Sequence, residues 1–313
     1  MREEKSDFIW LDGKFVPWDE AKIHVHTQCV LGGLNVYEGL QAHWSPEQNE
    51  LFVFRLDAHL ERLSRSLKMI RMTLPYSLAQ LKEAMLELLI RNRFRRNVAI
   101  RLVCYFGEGV FFGYLPEEIE TGAFMYAAAR TGTLSPEKGI HCCVSTWHRL
   151  SDFTAPPRIK SGSNYHNARM AQVQARVDGY DEPILLNEHG KVAEAPTRNI
   201  ALVRDGVLII PDITSGILEG ITRASVIELA REELKLRVEE RPVDRTELYV
   251  AEEVFFTQSN AEVLPVISVD RLPVGNGLPG PITRSMFQTI SDVAKGRNPR
   301  YRHWLTPVYQ TTN

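Results

Sequence analysis

Two Asp-Gly dipeptides, each between apolar runs, limit the fold of this chain more than any other local feature. Asp12-Gly13 separates "FIWL" from "KFVP", and Asp205-Gly206 separates "NIALVR" from "VLIIP". An Asp-Gly pair favours the two-residue turn of a β-hairpin, in which the strands are antiparallel. Because one pair lies near the start of the chain and the other beyond its middle, antiparallel sheet is predicted in both halves.

Helices and strands follow each other without strict alternation. Leucine spacing predicts a helix in "AHLERLSRSLKMI", with Asp57 as a suitable N-cap, and a second helix from Ser77 to about Asn92. Another helix is predicted from Tyr165 to Val177, and two more directly after Gly220 and Gly280. Predicted strands are 35–44, 50–55, "VAIRLVCYF", "GAFMYAAAR", "IHCCVSTW", 254–257 and 263–267. A doubly wound parallel sheet needs regular alternation, so we expect an α+β fold with mainly antiparallel sheet.

The length of 313 residues leaves room for two domains. The segment "RTGTLSPEKG" is polar and rich in turn-forming residues, which is typical of a linker. We therefore predict a small N-terminal domain of residues 1–129, a linker of residues 130–139 and a larger C-terminal domain of residues 140–313.

Charge and composition argue against several kinds of partner. The formal net charge is −2 and 44% of residues are apolar, which gives no electrostatic reason to expect a nucleic acid or an anionic membrane. No apolar run is long enough to cross a bilayer, and "REEKSDF" after Met1 is too charged for a signal peptide. We expect a cytoplasmic protein that binds neither nucleic acid nor membrane.

Cysteine and histidine spacing argues against a metal site. The four cysteines contain no CxxC pair, so we expect them to be buried thiols in strands. His24 and His26 lie on one face of a predicted strand in "KIHVHTQ", but no second pair of ligands follows at a useful spacing. We predict no bound metal.

The segment "RIKSGSNYHN" places Lys160 where a loop joins a predicted helix. A lysine amine attacks an aldehyde only when it is deprotonated, which requires desolvation or a neighbouring cation. Arg158 could supply that cation or could simply be solvated. The small residues after Lys160 leave room for a flat ligand, and the Tyr165 phenol could donate a hydrogen bond to it.

Two further features would suit the same ligand. "KVAEAPTRNIALV" places Glu194 before a strand that should be buried, where a carboxylate needs a cationic partner such as a protonated pyridine nitrogen or Arg198. In "LEGITRASVIELA", the amides of Ile221 and Thr222 open a helix after Gly220 and form a suitable phosphate site. Further candidate phosphate donors are Arg62, Ser259 and Asn260. An amine for an aldehyde, an acid for a ring nitrogen and a helix start for a phosphate together predict pyridoxal 5'-phosphate.

The order of these motifs resembles the fold-type IV pyridoxal-phosphate enzymes, and most closely the branched-chain amino-acid aminotransferases. The similarity extends from "FIWLDGKFVPWDEAKIHVHT" through "NVYEGLQ", "FRLDAHLERL" and "IKSGSNY" to "EVLPVISVDRLPVGNGLPGPIT". It implies a two-domain enzyme with a small α/β N-terminal domain and a larger domain with a barrel-like sheet. It also implies a homodimer or larger assembly, in which each active site lies between the domains and is completed by a partner loop.

The resemblance also implies roles for individual residues. Lys160 would form the internal aldimine, Tyr165 would contact the ring hydroxyl and Glu194 would meet the pyridine nitrogen. The phosphate would be held by Arg62, Ile221, Thr222 and Ser259.

Three residues of the predicted sheet match substrate-binding positions of the family. Tyr37 in "NVYEG" corresponds to an aromatic of the substrate pocket, and Arg101 in "AIRLVCYFG" corresponds to an arginine near the substrate carboxylate. Glu38 follows Tyr37 as in the family. The simpler alternatives are a core tyrosine, a local ion pair of Glu38 and an interstrand contact of Arg101.

Two departures keep the substrate open. Gly32 stands where many branched-chain enzymes carry a tyrosine, and Gln41 replaces an arginine. We predict an aminotransferase that moves the amino group of a hydrophobic L-amino acid to 2-oxoglutarate. The alternatives are a transaminase for D-amino acids or (R)-amines, an aminodeoxychorismate lyase and a dimeric protein without catalytic activity. "NVYEGLQAHW" disfavours the lyase, and Lys160 with Glu194 disfavours the inactive protein.

Overall fold

The computed structural model describes residues 3–110, 115, 118–130, 137–259 and 262–310. The chain divides into two compact units. Unit 1 comprises Met1–Gly132, Ile159–Ser163 and Val293–Asn313, and unit 2 comprises Thr133–Arg158 and Asn164–Asp292. The domain limits that we drew from the sequence stay a prediction, and residues 131–136 of the predicted linker lie outside the described residues.

Unit 1 is built on one antiparallel sheet. Its strands are β1 (Glu3–Glu4), β2 (Phe8–Leu11), β3 (Lys14–Pro17), β4 (Asn35–Ser45), β5 (Glu50–Phe54), β6 (Val98–Gly109), β7 (Ile119–Arg130) and β16 (Leu305–Pro307). Its helices are α1 (Gln28–Gly32), α2 (Leu56–Met69) and α3 (Leu78–Asn92), with 3₁₀ turns at Trp18–Glu20 and Pro299–Trp304. The strand order is β16-β5-β4-β6-β7-β2-β3, with β1 paired to β7, and the described pairings are all antiparallel.

The predicted amphipathic helices form the core of unit 1. Helix α2 packs on β4, and α3 packs on β2 and β7. The predicted leucine stripes are buried between the helices and the sheet, and each fully buried leucine contributes about 1.5–3 kcal/mol of transfer free energy. The buried stripe residues are Leu60, Leu63, Leu67, Leu81, Met85, Leu88 and Leu89.

The helix starts show where local signals succeed and fail. Ser77 caps α3 in a capping box with Gln80, as the sequence predicts. The prediction of Asp57 as the N-cap of α2 is wrong, because the helix already begins at Leu56. Asp57 lies in the first turn, where its carboxylate accepts a hydrogen bond from Lys82 and suits the positive end of the helix dipole.

Unit 2 contains the second sheet. Its strands are β8 (Ile140–Val144), β9 (Glu182–Ile184), β10 (Asn199–Arg204), β11 (Val207–Ile210), β12 (Val238–Glu240), β13 (Glu253–Gln258), β14 (Glu262–Val269) and β15 (Leu272–Pro273). Its helices are α4 (Tyr165–Val177), α5 (Ile221–Glu232) and α6 (Glu247–Val250), and α7 (Pro281–Ala294) begins in this unit. The strand order is β12-β11-β10-β13-β14-β8-β9, with β15 paired to β14. The central pairs are antiparallel, whereas β12, β8 and β9 are joined by parallel pairing.

Both predicted Asp-Gly hairpins are confirmed. Leu11 pairs with Lys14 and Arg204 pairs with Val207, so each turn has two residues. The Asp and Gly of both turns have positive φ, which matches the primed turns that favour tight hairpins. A third two-residue hairpin joins β14 to β15 through Asp270 and Arg271, also at positive φ. We did not predict it, because an Asp-Arg pair lacks the glycine that marks such turns.

The described residues give no support for a metal or a membrane span. "KIHVHTQ" is not a strand, since residues 21–27 form a loop and a turn, and His24 contacts Glu108 at 2.5 Å. Within the described ranges no three His, Cys, Asp or Glu side chains form a group that could hold a metal ion. Nor is any helix there both long and apolar enough to cross a bilayer. All four cysteines are free, and Cys29 lies in α1 rather than in a strand.

Candidate active site

Lys160 lies on a short segment that is attached to the start of β4. The Tyr37 amide donates to the Lys160 carbonyl over 2.9 Å, and the Gly162 amide donates to the Asn35 carbonyl over 3.3 Å. Ser161 forms an antiparallel bridge with Val36. These backbone contacts fix the Cα of Lys160 within unit 1. The amine can therefore move only by rotation of the lysine side chain.

Gly162 has a steric reason to lack a side chain. A Cβ at this position would lie 2.5 Å from the Asn35 side-chain oxygen, which is closer than real Cβ contacts. The sequence suggested that the small residues after Lys160 make room for a ligand. Within unit 1, the room at Gly162 is taken by Asn35, so this glycine serves the attachment of the lysine segment to β4.

Tyr37 brings two cations to one aromatic ring. The Lys160 amine lies 4.9 Å and the Arg101 guanidinium carbon 4.7 Å from its centroid, which is within cation–π range. Arg101 is half-buried on β6 and makes no ion pair with any described carboxylate. An amine and an unpaired guanidinium around a phenol suit a ligand that carries a carboxylate and an apolar group.

Arg158, the cation predicted to be a candidate neighbour of Lys160, is engaged by carboxylates of its own unit. Its Nε donates to Glu219 over 3.0 Å and its Nη1 donates to Asp152 over 3.2 Å. Two acids therefore compensate its charge, which weakens the hypothesis that Arg158 activates the lysine amine.

Glu38 and Arg62 form a buried ion pair in unit 1. Arg62 Nε and Nη2 donate to the two Glu38 oxygens over 2.8 and 2.7 Å, and His59 Nδ1 lies 2.7 Å from Glu38 Oε2. Burial alone would raise the pKa of Glu38, but the Arg62 charge and the hydrogen bonds from His59 and Arg62 lower it to about 2. The alternative of a local ion pair for Glu38 is therefore what the structure contains.

Glu194, the candidate acid in unit 2, is held by three kinds of donor. Arg149 Nε donates to Oε1 and the Asn199 amide donates to Oε2, each over 2.8 Å. The Leu218 backbone amide lies 3.2 Å from both oxygens. The carboxylate is thus buried and fixed in orientation, as the sequence argument for Glu194 requires.

Arg149 is the partner that sequence reasoning missed. We considered Arg198 as the cationic partner of Glu194, but Arg198 instead forms an ion pair with Glu182. Arg149 lies 45 residues before Glu194, and no local pattern joins the two. The fold brings them together through residues 185–186, since the Arg149 amide donates to the Leu186 carbonyl and the Leu185 amide donates to the Glu194 carbonyl.

The start of α5 is tightly packed around Asn199. A Cβ on Gly220 would collide with the Asn199 side-chain oxygen, so the helix can begin here only with glycine. Gly220 provides no side-chain cap, and Ile221 and Thr222 are both buried. Buried amides at an uncapped helix start suit an anion better than water.

Strand β13 adds a hydroxyl that we did not predict. Thr257 is buried directly opposite Asn199, and its Oγ1 has no hydrogen-bond partner among the described residues. The predicted donor Ser259 lies two residues later, in the turn that follows β13, and is half-buried. The sequence signal for Thr257 is its place near the end of the predicted strand 254–257, directly before the candidate Ser259 segment. Asn260 lies outside the described residues.

The remaining predicted residues are placed within their units as follows. Tyr165 is the first residue of α4, half-buried, in agreement with the predicted helix limits. Lys160, Tyr37, Arg101 and Arg62 belong to unit 1, and Tyr165, Glu194, Ile221, Thr222 and Ser259 belong to unit 2.

Comparison with known proteins identifies the family of this chain. The family model described as amino-transferase class IV matches residues 35–269. A probable branched-chain-amino-acid aminotransferase of Aquifex aeolicus (strain VF5) is 40% identical over 313 residues, 99% of each chain. A branched-chain amino acid aminotransferase of Thermobaculum terrenum, solved in its PLP form, is 39% identical with a TM-score of 0.92, over 97% of this chain and 99% of that one. A branched-chain aminotransferase from the thermophilic archaeon Thermoproteus uzoniensis, solved with norvaline, is 37% identical. The match has a TM-score of 0.91 and covers 97% of this chain and 100% of that one.

The chain belongs to the class IV aminotransferases. The predictions of a fold-type IV architecture and of an aminotransferase are thereby confirmed.

Proposed function

We propose that this aminotransferase uses pyridoxal 5'-phosphate to move the amino group of a branched-chain L-amino acid to 2-oxoglutarate. The observation that carries the proposal is the arrangement at Tyr37, where the amine of a backbone-anchored Lys160 and the guanidinium of Arg101 meet one aromatic ring. The similarity to branched-chain enzymes over nearly the full chain supports this substrate class.

The donor groups of unit 2 fit the proposed cofactor. The start of α5 at Ile221 and Thr222 has no side-chain cap, and the Thr257 hydroxyl has no hydrogen-bond partner among the described residues; both features suit a phosphate. Arg62, Ser259 and Asn260 complete the proposed phosphate-binding set.

The ring would be held by two further residues. Glu194, already oriented by Arg149 and Asn199, would accept a hydrogen bond from a protonated ring nitrogen, and Tyr165 would donate to the ring hydroxyl. When bound, the cofactor supplies an aldehyde that exchanges the amino group and a ring that delocalises electrons from the substrate α-carbon.

Lys160 would hold the cofactor through its amine and, when that amine is released, move the proton at the substrate α-carbon. Such proton transfer depends on position, and the backbone contacts to β4 restrict the reach of this amine. Arg101 would bind the substrate carboxylate, and the Tyr37 ring would contact the apolar side chain. These roles make Lys160 the catalytic residue and Tyr37 and Arg101 the substrate-binding residues.

A transaminase for D-amino acids or (R)-amines is the second candidate. A Cβ at Gly32 would approach only Leu34, at an ordinary 3.4 Å, so the fold does not require glycine there. Gln41 is buried on β4 without the charge that an arginine would bring. The two departures remove a phenol and a guanidinium from the carboxylate-binding region, which favours substrates without an L-carboxylate.

The visible spectrum of the cofactor-loaded protein tests both candidates. L-Leucine, D-alanine and (R)-1-phenylethylamine are added separately, and conversion of the bound cofactor to its amino form is followed by absorbance. Fast conversion by L-leucine alone supports the branched-chain proposal. Faster conversion by D-alanine or the amine supports the second candidate, and release of pyruvate from aminodeoxychorismate would identify a lyase.

Lys160→Ala is the control for the mechanism. It is expected to lose the absorbance of the lysine-bound cofactor and all turnover, while Lys191→Ala, which removes an exposed ion pair with Asp244, keeps both. A Lys160→Ala protein with normal turnover would exclude Lys160 as the catalytic residue.

We also propose a cytoplasmic homodimer. Four free cysteines suit a reducing compartment. Light scattering of the purified protein checks the assembly, and a monomer at enzyme assay concentrations would contradict it. Fractionation of cells that express the native chain checks the compartment.

A further inference from the structure

Glu38 is fully buried, yet it is charged and lies in the middle of β4. None of its surface is exposed, and its two oxygens are bound by Arg62 and His59 over 2.7–2.8 Å. A buried carboxylate costs free energy unless its partners are well placed, and replacing a buried ion pair by apolar residues of similar volume is often neutral or stabilising. The arrangement therefore calls for a reason other than stability.

Both partners of Glu38 come from one face of α2. His59 and Arg62 are three residues apart, so they are neighbours on the helix surface, and the apolar stripe of the same helix fixes it on β4. Strand β4 is also the strand to which the Lys160 segment is attached, through Tyr37, the residue before Glu38. The cluster thus shares its strand with the candidate catalytic lysine.

The charges within the cluster are balanced. Burial and the nearby cations lower the pKa of His59, against the effect of Glu38, so its imidazole is neutral and donates its Nδ1 proton. Glu38 and Arg62 carry opposite charges. The Lys160 amine is near enough to contribute to the lowered pKa of His59, which places its charge in the same surroundings.

The geometry of the Arg62 contact is that of an orienting pair. Nε and Nη2 both donate to the carboxylate, one to each oxygen, and this bidentate contact fixes the plane of the guanidinium. A free arginine side chain loses rotamer entropy when it binds an anion, and a guanidinium that is already held in place loses less of it on binding. Glu38 partly neutralises the positive charge with which Arg62 would attract an anion. Any contribution of Glu38 to anion binding therefore comes from orienting the Arg62 guanidinium.

We infer that Glu38 and His59 are positioning residues that hold Arg62 in the orientation in which it binds the cofactor phosphate. The inference rests on the proposed function, because it takes Arg62 as a phosphate ligand. Glu38 acts on the guanidinium directly, and His59 acts by holding Glu38. Neither residue touches the reacting atoms.

Cofactor affinity tests the inference by a double-mutant cycle. Apoenzyme is titrated with pyridoxal phosphate and the dissociation constant is measured for Glu38→Gln, Arg62→Lys and the double variant. Each single change is expected to raise the constant about 10-fold, which corresponds to about 1.4 kcal/mol. The double variant is expected to bind no more weakly than the worse single variant, because both changes remove the same oriented contact.

Glu50→Gln is the matched control. Glu50 is equally buried in unit 1, and it accepts backbone hydrogen bonds from Leu51, Val308, Tyr309 and Gln310. Its change is expected to lower the melting temperature without changing cofactor affinity. An equal loss of affinity in Glu50→Gln would mean that general destabilisation explains the effect, and the inference would be wrong.

His59 provides a second route if Glu38→Gln does not fold. His59→Asn keeps a donor near the position of Nδ1 and is expected to retain affinity, whereas His59→Ala is expected to lose it. If neither His59 variant changes the affinity while Arg62→Lys does, the positioning role is wrong. If Arg62→Lys itself binds as wild type does, the phosphate role of Arg62 in the proposed function fails instead.

Discussion

Glu38 in unit 1 and Glu194 in unit 2 are both buried glutamates with an arginine partner, but they are held in different ways. Among the described residues, the Glu38 carboxylate is bound by two side chains, Arg62 and His59 of one helix. Glu194 is bound by Arg149, by Asn199 and by the backbone amide of Leu218. When the glutamate is replaced, a backbone amide donor stays in place, whereas a buried arginine or histidine donor is left without its hydrogen-bond acceptor. We therefore expect changes at Glu38 to reduce stability through Arg62 and His59 together. We expect changes at Glu194 to reduce activity more than stability.

The largest expected effect is on the stability of unit 1. Glu38→Ala leaves the Arg62 charge buried without its partner and is expected to lower the free energy of unfolding by about 3–5 kcal/mol. Glu38→Ala with Arg62→Met is expected to recover most of that loss. Urea unfolding of the apoenzymes measures both, and a double variant as unstable as the single one would contradict this account of the cluster.

In unit 2 the expected effect falls on activity. Glu194→Gln keeps the shape and the Leu218 contact, but an amide cannot balance the charge of a protonated ring nitrogen. We expect kcat to fall by about 10²–10³-fold, the size seen when a charge-stabilising group is removed from an active site. Steady-state kinetics measure the fall in kcat. The control is Glu188→Gln, which changes an exposed glutamate of the same unit. Turnover near wild type would contradict the role of Glu194.

The stability difference between wild type and Glu38→Gln is expected to depend on pH. The pKa of Glu38 is lowered from 4.5 to about 2, so its ionised form stabilises the fold above pH 4.5 and this contribution is lost as the pH falls toward 2. The stability difference between wild type and Glu38→Gln is expected to shrink by about 3 kcal/mol over that window. Denaturant unfolding at a series of pH values measures this stability difference. A difference that grows as the pH falls would contradict the lowered pKa of Glu38.

The smallest expected effect lies where the two units are alike, in the Asp-Gly turns. Gly13 and Gly206 both have positive φ, and an added Cβ would meet only ordinary contact or open space. Gly13→Ala and Gly206→Ala are each expected to cost about 1 kcal/mol, the penalty of the left-handed conformation, with unchanged kcat. Thermal unfolding compares them, and a loss of activity in either variant would show that the turn affects more than its hairpin.

Local signals were enough for most of the elements. The turns at Asp12 and Asp205, the cap at Ser77 and helix α4 from Tyr165 to Val177 follow from residues a few positions apart, and all are confirmed. The Asp57 cap was wrong because α2 begins at Leu56, two residues earlier than a cap at Asp57 implies. The His24 strand was wrong because alternation alone does not supply a pairing partner.

The sequence proposes residues for the candidate site but not the partners of those residues. Lys160, Glu194 and the helix start after Gly220 stand out by residue type and neighbourhood. Arg149 and His59 did not stand out, because nothing in their local sequence points to the carboxylates that they bind. Thr257 is intermediate, since it lies in a predicted strand only two residues before the candidate Ser259.

By itself, the sequence determined the hairpins, the amphipathic helices and the family motifs, because these depend on backbone preferences and on residues close together in the chain. Only the tertiary structure decided which arginine meets which buried acid, that Tyr37 brings the Lys160 amine and Arg101 to one ring, and that Asn35 and Asn199 each require a glycine beside them. These contacts join segments far apart in the chain. Their partners are chosen by the packing of strands and helices, because a buried charge must be matched by whichever group the fold places within reach.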